Sequence, residues 1–115
     1  MEDVLPTNPH VSAVFCANDQ VALGALQTLA ARHLTSKIKL AGFDGAIEAT
    51  QAIIARQMYA TVAQDPFGMA QIGIEEAVRA LKHERVKRTV NTGNPLVTRR
   101  TAKAYLAKVE KKLGG

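Results

Sequence analysis

The sequence predicts an α/β fold, a parallel sheet of three or more strands with flanking helices. Short apolar runs at residues 11–16, 38–43 and 59–63 each have strand length. Amphipathic stretches of helical length separate them, the alternation expected of parallel strands joined by right-handed crossovers. Each run also ends in a polar corner: Asn18-Asp19, Asp44-Gly45 and Gln64-Asp65-Pro66.

Residues 1–10 form a lead-in in which Pro6 and Pro9 disfavour helix and Thr7-Asn8-Pro9 is turn chemistry. Val11, Ala13, Val14, Phe15 and Cys16 make a near-continuous apolar run, as in a strand covered on both faces. Asn18 and Asp19 follow, and both can cap a helix or offer a side chain to a ligand. The first helix is expected over residues 20–32, with Val21, Ala22, Ala25, Leu26 and Leu29 as its apolar stripe. Gly24 within it implies close backbone approach, since glycine weakens a helix interior. His33 closes that helix. The second strand, residues 38–43, ends at Asp44, where Gly42 and Gly45 permit a tight corner.

A short helix over residues 46–57 turns Ile47, Ala49 or Thr50, Ile53 and Ile54 inward. The third strand, residues 59–63, leads through Gln64 to Pro66, well placed to open a helix. Phe67, Ala70, Ile74, Ala77, Val78 and Leu81 form that helix's apolar face. Residues 82–94 are polar, with a possible short strand near 86–90, and residues 96–98 are extended. A last helix over residues 100–113 directs Ala102, Tyr105, Leu106, Val109 and Leu113 inward.

At 115 residues the chain is one domain at most. The apolar fraction of 47% is ordinary for a globular chain. The net charge of +5 comes mostly from residues 79–112, but no interleaved aromatics accompany it, so a solvated basic surface is expected and no nucleic acid partner. The single cysteine, Cys16, excludes an internal disulfide and reads as a small apolar strand residue. No run is long enough for a transmembrane helix, and with the acidic Met1-Glu2-Asp3 opening no signal peptide is expected in this chain.

No phosphate-cradling glycine loop, zinc-ligand spacing or nucleophile elbow is present, so no metal, cofactor or enzymatic activity is expected. The polar residues at the strand ends remain. In an open parallel sheet, ligands bind outside the carboxyl ends of the strands. Asn18 both donates and accepts, Asp44 can accept from two adjacent hydroxyls, and Gln64 adds an amide of longer reach. The set Asn18, Asp44 and Gln64 suits a polyhydroxylated neutral ligand. The plainer alternative makes Asn18 and Asp44 helix caps and Gln64 a turn residue.

Val14-Phe15-Cys16-Ala17-Asn18-Asp19, Ala22-Leu23-Gly24, Gly42-Phe43-Asp44-Gly45 and Ala60-Thr61-Val62-Ala63-Gln64 resemble the carboxyl-terminal half of the ribose-binding-protein-like family. These are the type I periplasmic sugar-binding proteins of ABC transporters. The resemblance runs from about Asn8 onward and implies an incomplete lobe of the periplasmic-binding-protein type I, flavodoxin-like, fold. It implies that Asn18, Asp44 and Gln64 contact sugar hydroxyls. Residues 11–64 would be the sheet and ligand-edge core, residues 66–82 a helix that packs on the other lobe in the family, and residues 95–115 a terminal strand and helix.

The family's proteins are two-lobed and much longer. The expectation is therefore a carboxyl-terminal fragment of a solute-binding protein. Its periplasmic parent captures a monosaccharide or polyol and presents it to a membrane permease. The fragment itself is expected to bind weakly or not at all, and to form a homodimer or higher oligomer. LacI-type transcriptional repressors share the fold, and their effector-binding half is the alternative. Gly45 after Asp44, and the Tyr59 to Gln64 stretch, favour the transporter branch. A flavodoxin-like enzyme with Asp44 as nucleophile would want a lysine at a strand end, and none stands there.

Overall fold

Strand β2 (Lys39–Asp44) lies inside the sheet. It pairs in parallel with β1 (Ala13–Phe15) on one side and with β3 (Ala60–Ala63) on the other. A fourth strand, β4 (Leu96–Thr98), adds antiparallel to β3, so the order is β1-β2-β3-β4. The helices are α1 (Val4–Thr7), α2 (Asp19–Ala31), α3 (Ile47–Ile54), α4 (Pro66–Leu81) and α5 (Ala102–Gly114). These assignments come from a computed structural model that describes residues 1–114. The expected α/β class and the parallel β1-β2-β3 set are present. The short extended segment expected at residues 96–98 is β4, and its antiparallel pairing departs from the parallel sheet the alternation predicted.

The chain divides into two compact units, Met1–Ala63 together with the stretch from Leu96 on, and Gln64–Pro95. In the first unit, strand register assigns the faces. Val14 aligns with Leu40, Gly42 with Thr61, and Thr61 with Val97. Leu40, Thr61 and Val97 are buried on that face. Helix α2 packs on β2, α3 on β3, and α5 on α3 and β4. Leu26 and Leu29 of α2, Ile53 of α3 and Ala102 of α5 complete the core.

The opposite face carries Phe15 at 66% exposure and Leu96 at 58%, with Ala41, Phe43 and Val62 half-buried. The first strand is therefore shorter than expected, and its side chains are not covered on both faces. Ala13 and Phe15 alternate outward while Val14 and Cys16 turn in. Its apolar run reads like a doubly covered strand because the open face is itself apolar.

Other expectations need correction. Pro6 sits within the one-turn helix α1, where the first N–H groups have no intrahelical acceptor and a missing donor costs little. Residues 86–90 form no strand. A Cβ on Gly24 would meet nothing within 4 Å, so no close approach requires glycine there. Leu113 is 56% exposed, beyond the reach of the core.

Helices α2, α3 and α4 all stop the same way, through a left-handed residue that is not glycine. His33, Arg56 and His83 have φ of 55°, 64° and 57°. The next residue's N–H returns to a carbonyl one turn back: Leu34 to Leu29, Gln57 to Ala52 and Glu84 to Arg79.

In the second unit, Asp65 caps α4 through Gly68 N–H at 3.2 Å and Pro66 occupies the first turn. Glu76 pairs with Arg79 at 3.4 Å and accepts the Lys87 N–H at 3.0 Å. None of the α4 residues is buried, and Phe67, Ile74 and Leu81 are 57%, 67% and 81% exposed.

Candidate functional site

Parallel pairing puts the carboxyl ends of β1, β2 and β3 on one edge of the sheet. Asn18 stands at that edge as the N-cap of α2. Its Oδ1 accepts the Val21 N–H at 2.8 Å, leaving the side-chain N–H groups to donate. The capping role expected for Asn18 is real, and it does not use up the amide.

Asp44 ends β2 and is exposed. It is not the N-cap of α3, a position held by Ala46. Its φ is +114°, far outside the left-handed basin that aspartate tolerates. A non-glycine residue held there costs on the order of 1–3 kcal/mol, and such strain concentrates at functional sites. Gln64 is half-buried and directly follows Ala63, the last residue of β3, but it opens the second compact unit. Asn18 and Asp44 thus sit within one unit at the ends of adjoining strands, and Gln64 begins the other unit.

Asp19, which by type could cap the helix or offer its side chain to a ligand, turns its carboxylate into the protein, and Asn18 is the N-cap of α2. Asp19 is 1% exposed. One carboxylate oxygen accepts the Thr61 hydroxyl and the other accepts the Ala46 N–H, both at 2.7 Å. Gly42 makes room for it, since a Cβ there would collide with the Asp19 carboxylate and lie 3.2 Å from Ala22 Cβ. Thr61 in turn accepts the Gly45 N–H at 3.4 Å, and Tyr105 donates its hydroxyl to the Gly45 carbonyl at 3.0 Å. Sequence reasoning missed Thr61 and Tyr105, which sit in apolar patterns that read as core.

Burial pushes the Cys16 thiol up, partly offset by the positive amino terminus, the opposite of the lowering that activates a thiol. Among the described residues, no three His, Cys, Asp or Glu side chains converge to hold a metal, and no helix is long and apolar enough to cross a membrane. A concavity of about 500 Å³ bordered by Leu5, Pro9, Val11 and Ile38 lies toward the amino end of β2, away from Asn18 and Asp44. What the strand-end edge offers is an amide and a carboxylate on an open wall, suited to hydrogen-bonding hydroxyl groups.

A family model described as "Periplasmic binding protein domain" matches residues 1–85. The D-allose-binding periplasmic protein of Escherichia coli K12 is 40% identical over 84 residues, covering 73% of this chain and 27% of its own length. The ribose import binding protein RbsB of the same organism is 38% identical over 87 residues, covering 76% and 29%. An ABC transporter solute binding protein from Mycobacterium smegmatis, solved with bound glycerol, superimposes with a TM-score of 0.83 at 36% identity, covering 90% of this chain and 36% of that one. These relatives are binding proteins rather than enzymes. The chain spans less than a third of the length of the two curated relatives. Fold, motif order and sequence agree that the chain belongs to the periplasmic binding protein family, in its ribose-binding-like, type I sugar-binding branch.

Proposed function

We propose that the chain supplies one wall of a sugar-binding cleft. Asn18, Asp44 and Gln64 contact the hydroxyl groups of one monosaccharide or polyol. The observation that carries the reading is Asp44, an exposed strand-end carboxylate in a strained conformation. Two adjacent hydroxyls can bind its two oxygens together, while Asn18 donates from the neighbouring strand end. The parent is a periplasmic solute-binding protein that delivers the ligand to an ABC permease, in keeping with the allose- and ribose-binding relatives. Binding here is recognition without chemistry.

One wall buries only part of a ligand. The isolated chain is expected to bind pentoses and hexoses with a dissociation constant of about 1 mM or weaker, equivalent to about 4 kcal/mol. Calorimetric titration checks this, and a micromolar constant would mean that a second wall has formed.

The chain also associates with itself in this reading. Among the described residues, strand β1 is an edge with no strand on its outer side, and the face beside it exposes Phe15 and Leu96. Parallel sheets are ordinarily covered on both faces, and an unpaired edge is a template for pairing. Helix α4 adds Phe67, Ile74 and Leu81. Each large apolar side chain taken out of water contributes roughly 1.5–3 kcal/mol. A second copy of the chain can cover such surfaces. A closed two-fold dimer is the expected form. Light scattering at micromolar concentration reads it directly, and a monodisperse 12.4 kDa species would contradict it.

A further inference from the structure

We infer that Asp19, Thr61 and Tyr105 are positioning residues that hold the main chain at Asp44 in its ligand-competent conformation. The inference rests on Asp44 being a ligand contact. Three main-chain groups just after Asp44 are bonded to side chains from three different elements. The Gly45 N–H goes to Thr61 on β3 at 3.4 Å, the Gly45 carbonyl receives the Tyr105 hydroxyl of α5 at 3.0 Å, and the Ala46 N–H goes to Asp19 of α2 at 2.7 Å. Asp19 and Thr61 are joined to each other at 2.7 Å and are 1% and 0% exposed. The Asp44-Gly45-Ala46 corner is thus fixed from the helix before the sheet, from the neighbouring strand and from the last helix.

Position 44 needs such a device. Its φ of +114° is a conformation the chain leaves if nothing over-determines it. The residue that follows, Gly45 at φ +76°, resists no rotation of its own. The clamp also explains why Asp19 and Thr61 are polar in an otherwise apolar layer. A helix-packing role alone would not require one carboxylate to span a strand hydroxyl and a corner amide. Buried networks of this kind, when every member is satisfied, specify a single local geometry.

The test uses the chain itself, with Thr61→Val and Tyr105→Phe removing one hydroxyl each and Thr61→Ser restoring one. NMR supplies two readouts that overall stability does not set. The first is the HN–Hα coupling of Asp44, small for a positive φ and rising toward the extended value once the clamp is lost. The second is amide exchange at Gly45 and Ala46, expected to quicken about tenfold or more relative to amides in the β2–β3 ladder. Affinity for D-ribose or D-allose should fall about tenfold in both variants, with Thr61→Ser recovering coupling, exchange and affinity together. Unchanged coupling and exchange in both variants overturn the inference, as does a lost clamp signature with sugar affinity intact. A wild-type chain that binds neither sugar, with the coupling and exchange responding as expected, overturns the sugar reading while the clamp geometry stands.

Discussion

Replacing Gly45 with alanine is expected to destabilise the chain by about 3 kcal/mol or more, the largest effect of any single methyl group added to the corner. Two penalties coincide. The backbone has φ +76°, where an L side chain is strained by roughly 1–2 kcal/mol. The new Cβ would lie 2.6 Å from Ala63 Cβ and 2.8 Å from Ala63 Cα, and it would collide with the Tyr105 hydroxyl. Tyr105 can swing aside, but the β3 backbone cannot without breaking its register with β2. For a domain whose whole stability is about 5–15 kcal/mol, that is a substantial share. The melting temperature should drop by on the order of 10–20 °C. Gly24→Ala is the matched control. Its Cβ meets nothing within 4 Å in the middle of α2, so helix propensity alone acts and the variant should gain about 0.5–1 kcal/mol. Thermal melts of the two variants beside the parent chain settle the comparison, and equal losses would show that the corner is not as tight as described.

Asp19→Ala is expected to cost about 3 kcal/mol. The substitution removes both acceptors at once. It leaves the Ala46 N–H and the Thr61 hydroxyl in a site that was 1% exposed at Asp19 and 0% at Thr61. Each buried donor left without a partner costs about 1–3 kcal/mol. Asp19→Asn should cost clearly less, because one oxygen still accepts the Ala46 N–H and the Thr61 hydroxyl can turn to accept from the new amide. Denaturant unfolding separates the two variants. If alanine and asparagine cost the same small amount, Asp19 is merely a surface cap and its buried bridge does not hold.

The architecture was legible because its signals are local. The three apolar runs became β1, β2 and β3 because strand length and apolar content survive any tertiary context. Asn18 could be read as a cap and Pro66 as a helix opener from residue type and place. Other features depend on what lies across the sheet. Gly24, Gly42 and Gly45 look alike in one dimension, yet only Gly42 and Gly45 face atoms that leave no room for a Cβ. Asp19 looked like Asn18's twin, and only the packing of α2 against Gly42 turns its carboxylate inward to Thr61 and Ala46. His33, Arg56 and His83 end their helices in the left-handed conformation without the glycine that would have announced it.

Site residues were partly legible for the same reason. Asp44 was singled out by type and position at a strand end, but its φ of +114° belongs to a corner assembled from α2, β3 and α5. Residues that hold a corner through main-chain groups leave no spacing motif. Thr61 and Tyr105 therefore went unnoticed inside runs that otherwise describe a strand and a helix.

The central claim is that a sugar meets this chain at the strand-end edge through Asn18, Asp44 and Gln64. A titration of the isotope-labelled chain with D-ribose or D-allose, followed by amide NMR, tests it most directly. The account predicts that the side-chain amides of Asn18 and Gln64 and the backbone amides of Asp44 and Gly45 shift together. They should follow one dissociation constant of about 1 mM or weaker, and Asp44→Ala should abolish the response. Shifts confined to other parts of the chain, or a dissociation constant indifferent to Asp44→Ala, would contradict it.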